Sequence, residues 1–251
     1  MTNKHLTAFF ASHTSLPVSN EAGKEESKRV KKEFQKNKIM AYINPRKDNN
    51  GDPYYENVAL SNSLLMNALK VIAGTKDYFN GSSNAFEIGK AFEDVLMQKF
   101  DRQRYAKTVC QNELENILLM QESFNLSFGN ELKNRINEDT TYFFEYCGLK
   151  FKAKTDFETL ETVFDIKTTS KVDLKGCQAS IYAYNYHTQG FLYEIATKKP
   201  FVLLFQSKSY PFDNFKIELT DKMREKAKLK IDKAIKELER LELTKHFTSA
   251  P

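Results

Sequence analysis

The stretch KAKTDFETLETVFDIKTTS, residues 152–170, has the alternating pattern of two β-strands joined by a short turn. Successive side chains of a strand point to opposite faces. In the second strand, Asp165 and Lys167 therefore share one face, while Phe164 and Ile166 share the other. The pattern predicts a sheet that carries an acid and a lysine on the same strand, two positions apart.

The preceding strand has charged residues at alternate positions, namely Lys150, Lys152, Lys154 and Asp156. If the two strands are antiparallel neighbours, Asp156 and Asp165 approach each other across the ladder. Two carboxylates at that range repel each other unless a cation lies between them, and hard oxygen ligands suit Mg²⁺ or Mn²⁺. We therefore expect a divalent metal site between these two aspartates.

The lysines suggest a phosphate-containing substrate. The ammonium group of Lys167 reaches the space between the acids, where it can polarise a water molecule or stabilise charge on a phosphate. The three lysines beside Asp156 predict a positive wall for a phosphate backbone. An exposed sheet face with cross-strand ion pairs would contain the same residue types. The D-x8-D-x-K spacing alone does not decide between these two interpretations.

Composition sets the broad class of the protein. The chain has 251 residues, of which 41% are apolar, with 20 Phe and 12 Tyr, and this is ample for a large buried core. A net charge of +5 is compatible with a polyanionic partner. The cysteines lie far apart without a C-x-x-C pair, which argues against a disulfide scaffold, a four-cysteine zinc site or an iron–sulfur cluster. The N-terminus is too polar for a secretory signal and no apolar run reaches about 18 residues, so we expect a soluble cytoplasmic protein without membrane contact.

The order of the predicted elements indicates an α/β fold. Helices are predicted near residues 61–73, 84–101, 107–121, 130–138, 177–197 and 220–243. Strands are predicted at 141–148, 149–158, 161–169, 200–210 and 215–220, the first three as an antiparallel meander. This order predicts a mixed central β-sheet flanked by helices. On one continuous helix, the alternating Tyr182, Tyr184 and Tyr186 would be split between faces, which weakens them as a surface for stacking bases.

Four motifs in consistent order resemble a known nuclease family. Asp156 followed by FDIKTTS resembles the core motif of the PD-(D/E)xK nuclease superfamily, which has a restriction-endonuclease-like core. More narrowly, a D-x-K-T-T strand followed by a helix with Q-x-x-x-Y, here Gln189 and Tyr193, is similar to bacteriophage-type recombination exonucleases of the exonuclease VIII (RecE) kind. Upstream, VALSNSLLMNALK resembles that family's I-S-x-S-x-L segment, and IGKAFEDVLM resembles its G-x-x-x-H-x-x-L helix. The resemblance covers about residues 58–215.

The resemblance implies roles for individual residues. The implied ligands of the Mg²⁺ or Mn²⁺ ion are Asp156, Asp165, the backbone carbonyl of Ile166 and, extending the site, Glu93. Lys167 would position and activate the attacking water, and Gln189 and Tyr193 would orient that lysine or a DNA phosphate. The expected DNA contacts are Lys150, Lys152, Lys154 and Thr168.

One departure from the family concerns the first motif. We place the family's usual histidine at Phe92, with Glu93 next in line. Adjacent helical residues are about 100° apart, so Glu93 would need a shift of the helix to take the histidine's place. This leaves open whether the site binds one metal ion or two.

The implied function is that of a metal-dependent exonuclease acting on double-stranded DNA ends in a bacterial or phage-infected cell. Such enzymes leave single-stranded tails for recombination, work with a single-strand-annealing protein and assemble as ring-shaped homo-oligomers. Residues 58–251 would form the nuclease domain, and residues 1–57 an N-terminal extension that is partly flexible. An endonuclease of the same superfamily, acting in restriction or repair, and a catalytically inactive DNA-binding relative remain the alternatives.

Overall fold

A computed structural model describes residues 21–43, 51–75 and 84–248. In it, five strands form one mixed sheet in the order β1-β2-β3-β4-β5. The strands are β1 (Asn137–Tyr146), β2 (Leu149–Glu158), β3 (Val163–Thr169), β4 (Phe201–Ser207) and β5 (Asn214–Glu218). The helices are α1 (Glu21–Ile43), α2 (Pro53–Glu56), α3 (Asn62–Ala73), α4 (Asn84–Leu96), α5 (Arg102–Tyr105), α6 (Gln111–Lys133), α7 (Leu174–Ala183), α8 (Tyr186–Thr197) and α9 (Asp221–Arg240). Strands β3 and β4 are parallel, and the other neighbouring pairs are antiparallel.

The mixed sheet with flanking helices confirms the predicted α/β fold. Cys147 and Gly148 connect β1 to β2 with φ values of 51° and 72°, the left-handed backbone that a two-residue type I′ hairpin turn requires. The side chain of Ser61 accepts a hydrogen bond from the amide of Leu64 and so begins α3 at the predicted place.

Two predicted helices are wrong. The helix expected at 130–138 does not form, because α6 continues to Lys133 and the chain then enters β1 at Asn137, which pairs with Glu158. The single helix expected at 177–197 is broken into α7 and α8. The break occurs because Asn185 takes a left-handed conformation, with φ 62°, which ends the α-helical path.

Both faces of the sheet are covered by helices, so alternate residues of β3 enter different cores. Phe164 and Ile166 pack in the core formed with α4 and α6. Val163 packs on the opposite face, in a core to which α7 and α8 contribute. Asp165 has the same strand parity as Val163. Its side chain therefore lies on the sheet face that α7 and α8 cover. The acid-bearing face is buried rather than exposed.

Strands β2 and β3 separate soon after they meet. They share two residue pairs, Phe157 with Phe164 and Glu158 with Val163, although both strands continue beyond this point. Farther along, β2 stays paired with β1 and β3 stays paired with β4. The two halves of the sheet therefore diverge, and we call the space between β2 and β3 the fork.

The backbone groups of β2 that the fork leaves without a β3 partner find partners elsewhere. The amide of Leu60 donates to the carbonyl of Lys150 at 2.9 Å, and the amide of Lys152 donates back to the Leu60 carbonyl at 2.7 Å. The amide of Lys150 donates to the carbonyl of Phe247 at 2.7 Å. Buried backbone groups without partners are costly, so these contacts stabilise the separation of the two strands.

Helix α1 packs against the rest of the described chain. Its residues Ile39 and Ile43 belong to the core that contains residues of α3 and α9, and Lys32 forms an ion pair with Glu242 at 2.7 Å. The division of the chain at residue 57 stays a prediction. Within the described ranges, every helix is too short or too polar to span a membrane.

Close packing of α8 on β4 gives a prediction about stability. A Cβ atom at Gly190 would lie 2.3 Å from Cδ1 of Phe201 and 2.7 Å from Cδ1 of Leu219, and the Phe201 ring is itself buried against Tyr193. We expect Gly190→Ala to lower the free energy of unfolding by about 1–3 kcal/mol, because the helix must move away from the sheet. Urea denaturation monitored by circular dichroism measures this change.

Gly129 in α6 provides the matched control. A Cβ atom there would meet nothing within 4 Å. Gly129→Ala should leave the free energy of unfolding unchanged or raise it by about 0.4–1 kcal/mol. Equal stability of the two alanine variants would contradict the close packing of α8 on the sheet.

Candidate active site

Asp156 occupies the point where β2 and β3 separate. Its Oδ2 accepts a hydrogen bond from the backbone amide of Ile166 at 2.6 Å. The carboxylate thereby replaces the backbone acceptor that the ladder no longer supplies beyond the Phe157–Phe164 pair. The local geometry of the fork thus fixes the position of this acid.

Asp165 lies across the fork and is held from α8. Nε2 of Gln189 donates to Oδ1 of Asp165 at 2.7 Å and contacts the hydroxyl of Tyr193 at 2.9 Å. The Tyr193 hydroxyl donates in turn to the backbone carbonyl of Lys154 on β2. Gln189 and Tyr193 share a helix face, as their four-residue spacing predicts. The resemblance implies that they orient Lys167 or a phosphate, and this stays a prediction; the structure shows them holding Asp165 and the open edge of β2.

The ammonium group of Lys167 lies against the acids. Its Nζ contacts Oδ2 of Asp165, and it is 5.3 Å from the centre of the Tyr186 ring. The Asp165 side chain is 1% exposed, whereas that of Lys167 is 22% exposed. The lysine therefore lies between a buried carboxylate and the solvent side of the fork. Sequence reasoning missed the contact with Tyr186, because it depends on the break between α7 and α8.

Burial and neighbouring charges raise the pKa values of both aspartates. Burial raises the pKa of Asp156, and the charge of Asp165 raises it further, while the Lys167 ammonium opposes both effects. Burial likewise raises the pKa of Asp165, against the opposing effect of Lys167. Burial alone would lower the pKa of Lys167, but the two carboxylates outweigh it and raise that pKa. The site thus concentrates negative charge that one ammonium group compensates only in part.

Glu93 reaches this site from α4. A side chain at Gly89 would place its Cβ 3.2 Å from Oγ1 of Thr168, so α4 crosses β3 at this glycine. Glu93 is one turn further along the same helix face. Burial raises its pKa to about 7, and the charge of Asp156 adds to this rise. Thr168 is half-buried beneath α4, and its strand parity is opposite to that of Asp165 and Lys167.

The assignment of the family's histidine to Phe92 is wrong. Phe92 is fully buried and packs edge-on against Phe124 of α6, with 5.6 Å between ring centres. In the G-x-x-x-H spacing, counted from Gly89, the histidine position is residue 93. Glu93 therefore stands in that position without any shift of the helix.

A divalent cation fits the chemistry of this site. Oδ2 of Asp165 is buried and has no hydrogen-bond partner, although it contacts the Lys167 ammonium. A hard cation would satisfy such an oxygen and relieve the repulsion between Asp156 and Asp165. No three His, Cys, Asp or Glu side chains in residues 21–43, 51–75 and 84–248 are already arranged to hold an ion. The ligand set with Glu93 is therefore not preassembled.

Two of the three lysines predicted to contact DNA already have protein partners. Nζ of Lys152 donates to the carbonyls of Tyr54 at 2.5 Å and Asn57 at 2.9 Å. Nζ of Lys154 donates to Oδ2 of Asp52 at 3.1 Å. We call Lys150, Lys152 and Lys154 of β2 the lysine row. Residues 52–57, which include α2, cover the Lys152–Lys154 part of this row, while Lys150 is exposed.

Asp139 is a further acid near the site that sequence reasoning missed. It lies in β1 between the pairs Glu138–Phe157 and Thr140–Thr155, opposite Asp156 in this register. Its backbone is left-handed, with φ 50°. Lys99 donates to it at 2.7 Å. Only the register of β1 against β2 could have revealed this position, because the strand predicted from the sequence began at residue 141 and β1 begins at Asn137.

The raised pKa of Glu93 predicts how stability depends on pH without metal. The native pKa is about 7, against about 4.3 in an unfolded chain. Between these values the native state binds more protons than the unfolded state, so the stability contribution falls as pH rises. In EDTA, Glu93→Gln should be more stable than the unmodified protein at pH 8, by about 1–3 kcal/mol, and the gap should narrow towards pH 5. Melting temperatures at the two pH values measure this.

Glu113 provides a control of opposite sign. The side chain of Asn84 donates to Glu113 at 2.7 Å and the amide of Cys110 donates at 3.2 Å, and the pKa of Glu113 is lowered, first by the Asn84 contact. Its stabilisation is present above the unfolded pKa and is lost as pH falls. Glu113→Gln should therefore be the less stable protein at pH 8. The same pH trend for both variants would contradict the placement of Glu93.

Comparisons with solved structures concern the fold of the chain. A protein from Eubacterium rectale, whose crystal structure is described as that of a "putative exonuclease", has a TM-score of 0.56 and 17% sequence identity, over 84% of this chain and 83% of that chain. LHK-Exo, solved in complex with dAMP, has a TM-score of 0.32 and 15% identity, over 63% of this chain and 92% of that chain. Among curated proteins, no match was found. The first similarity supports the fold, and the second is too low to support a conclusion.

A family model gives the more specific result. Residues 110–249 match the PDDEXK-like domain of unknown function DUF3799. The matched segment is more than half of the chain and contains Asp156, Asp165 and Lys167. The chain therefore belongs to this family of PDDEXK-like domains, within the PD-(D/E)xK nuclease superfamily.

Proposed function

We propose that this protein is a metal-dependent deoxyribonuclease that hydrolyses phosphodiester bonds of linear double-stranded DNA. The observation that carries the proposal is the convergence of Asp156, Asp165 and Lys167 in the fork between β2 and β3. Placing the buried Asp165 beside the half-buried Asp156 costs free energy that pairing with one lysine repays only in part. Perturbed carboxylates in this arrangement are typical of functional sites.

The proposed metal is Mg²⁺ or Mn²⁺. Asp156, Asp165 and the carbonyl oxygen of Ile166 would hold it, with Glu93 beside them. Such an ion supplies Lewis acidity towards the phosphate and lowers the pKa of bound water. Oxygen-only donors of this kind favour hard divalent cations over zinc or copper.

The remaining steps rest on the protein's own side chains. Because the pKa of Lys167 is raised by the acids, its ammonium stays protonated at neutral pH and donates hydrogen bonds rather than removing a proton. It can orient the attacking water or stabilise the charge that develops on the phosphate. Gln189 fixes the Asp165 carboxylate through the 2.7 Å hydrogen bond. Tyr193 fixes the edge of β2 beside it.

The exonuclease assignment within this class is supported by two similarities. Four sequence motifs resemble exonuclease VIII-type enzymes, and the Eubacterium rectale structure, described as that of a "putative exonuclease", shares the fold over 84% of this chain. By the same resemblance, we propose that the reaction leaves single-stranded tails for recombination. A single-strand-annealing protein as partner, a homo-oligomeric ring and a cytoplasmic location in a bacterial or phage-infected cell belong to this proposal.

The lysine row of β2 is the proposed path of the DNA backbone towards the site. Lys150 is exposed and available to a phosphate. At Lys154, a phosphate would have to compete with the carboxylate of Asp52. At Lys152, it would have to compete with backbone carbonyls of residues 52–57. Thr168 stays a predicted DNA contact, although its strand parity places it on the face of β3 opposite to Asp165 and Lys167.

Incubation with linear and covalently closed circular double-stranded DNA tests the proposed function. We expect linear DNA to be degraded with Mg²⁺ or Mn²⁺ and not in EDTA, while closed circles stay intact. Cutting of circles would instead indicate an endonuclease. Tight DNA binding without cleavage under any metal would indicate an inactive relative and would contradict the proposed activity.

Two substitutions test the residues directly. Asp165→Asn keeps an acceptor for Gln189 but removes one of the two repelling charges, so it should retain or raise the melting temperature. Lys167→Ala removes the ammonium. Each should lower the rate of cleavage by about 10²-fold or more. An initial-rate assay on linear DNA measures the loss.

Lys228→Ala is the matched control, because Lys228 also pairs with an acid, Asp232 at 2.7 Å, but on the exposed surface of α9. Its cleavage rate should equal that of the unmodified protein. Full activity of Asp165→Asn in a folded protein would remove this acid from the mechanism.

A further inference from the structure

The break between α7 and α8 brings tyrosines together that a continuous helix would separate. Tyr184 ends α7, Asn185 turns the chain with φ 62°, and Tyr186 begins α8. As a result, the rings of Tyr184 and Tyr186 lie 5.7 Å apart at an interplanar angle of 35°. Two residues of alternate spacing thus form one aromatic surface.

This surface leads from the candidate catalytic lysine to solvent. The Tyr186 ring is half-buried, with its centre 5.3 Å from Nζ of Lys167. The Tyr184 ring, next in line, is 65% exposed. Among the described residues, no hydrogen bond engages the Tyr184 side chain. The Tyr186 ring centre is 5.3 Å from Nζ of Lys167 and 5.7 Å from the Tyr184 ring centre. At about 3.4 Å per step of a stacked strand, these two distances together cover roughly one to three base steps.

The turn that carries the two rings is held in place. Nζ of Lys230 on α9 donates to Oδ1 of Asn185 at 2.5 Å. The hydroxyl of Thr188 donates to the Asn185 carbonyl at 2.7 Å. A surface whose backbone is fixed before binding loses less entropy when a ligand stacks on it.

Positive charge surrounds the same turn. Nζ of Lys226 lies 4.5 Å from the ring centre of Tyr182, two residues before Tyr184. Lys167 lies over the Tyr186 ring and Lys230 binds the Asn185 side chain, so three ammonium groups contact residues 182–186. Basic groups that follow a phosphate backbone, combined with aromatic rings that stack on bases, are the features of surfaces that bind single-stranded nucleic acid.

We propose that Tyr184, supported by Tyr186, is a stacking site for an unpaired nucleobase of the DNA strand whose phosphate lies at Lys167. This inference rests on the proposed nuclease function and adds the state of its substrate: the end of the duplex is opened before or during cleavage. The aromatic rings accept any base, because each base has a π-face. The site therefore selects for an unpaired end rather than for a sequence.

Fluorescence of 2-aminopurine tests the site without cleavage. The full chain is added to duplex DNA that carries 2-aminopurine as an unpaired terminal nucleotide. The buffer contains Ca²⁺ in place of Mg²⁺. We expect the protein to quench this fluorescence by stacking. Tyr184→Ala should lose most of the quenching and weaken binding by about 5- to 150-fold, the range for removal of one stacking aromatic ring. In cleavage with Mg²⁺, it should raise KM with little change in kcat.

Two variants serve as controls. Tyr184→Phe keeps the ring and should keep both quenching and affinity. Leu126→Ala removes a side chain that is 90% exposed on α6, on the other face of the sheet, and should change neither. Since Tyr184 is largely exposed, its variants should fold, and circular dichroism verifies this.

The outcomes separate this inference from the proposed function. Quenching that depends on the Tyr184 ring supports the stacking site even if no metal yields cleavage. Cleavage of linear DNA together with unchanged quenching and affinity in Tyr184→Ala overturns the stacking site and leaves the nuclease in place. Absence of quenching by the unmodified protein, or a change in oligomeric state as the sole effect of Tyr184→Ala, also overturns it.

Discussion

The separation of β2 from β3 is the structural constraint on which the candidate site depends. A sheet that opens in its interior exposes backbone donors and acceptors that must find partners. Close to the opening these partners are side chains: Asp156 accepts from the amide of Ile166, and Tyr193 donates to the carbonyl of Lys154. The groups that complete the fold at this point are therefore also the groups that line the site. Removing one of them would be expected to alter both stability and chemistry.

The fork has an electrostatic consequence. It places the half-buried Asp156 beside the buried Asp165, with Lys167 as their close cationic partner and Glu93 nearby. Such a site destabilises the folded protein when all the acids are ionised. Either protons or a divalent cation would relieve the repulsion between the acids. The same repulsion that lowers the stability of the metal-free protein would favour the binding of the proposed metal ion. This explains why a structural role alone is a poor account of these residues.

The sequence was sufficient to predict that Asp156, Asp165 and Lys167 come together, but not how they are held or which other residues join them. Alternation along a strand places Asp165 and Lys167 on one face, and the short turn between the two strands places Asp156 opposite them. These contacts could therefore be predicted from the spacing of the residues. The rotation of α4, which directs Glu93 to the site, depends on packing against β3 and is not encoded in the local periodicity. The break at Asn185 is equally non-local, since its geometry is stabilised by a lysine of α9. The fork itself follows from contacts made by segments distant in sequence.

Anomalous scattering from crystals soaked in Mn²⁺ tests the central claim most directly, because it locates the ion without reference to activity. We expect a peak in the fork, bound to carboxylate oxygens of both Asp156 and Asp165 at about 2.0–2.3 Å, typical of such oxygen ligands. The peak should be lost in Asp165→Ala. Manganese bound only elsewhere on the protein, or a fork without bound metal at millimolar Mn²⁺, would contradict it.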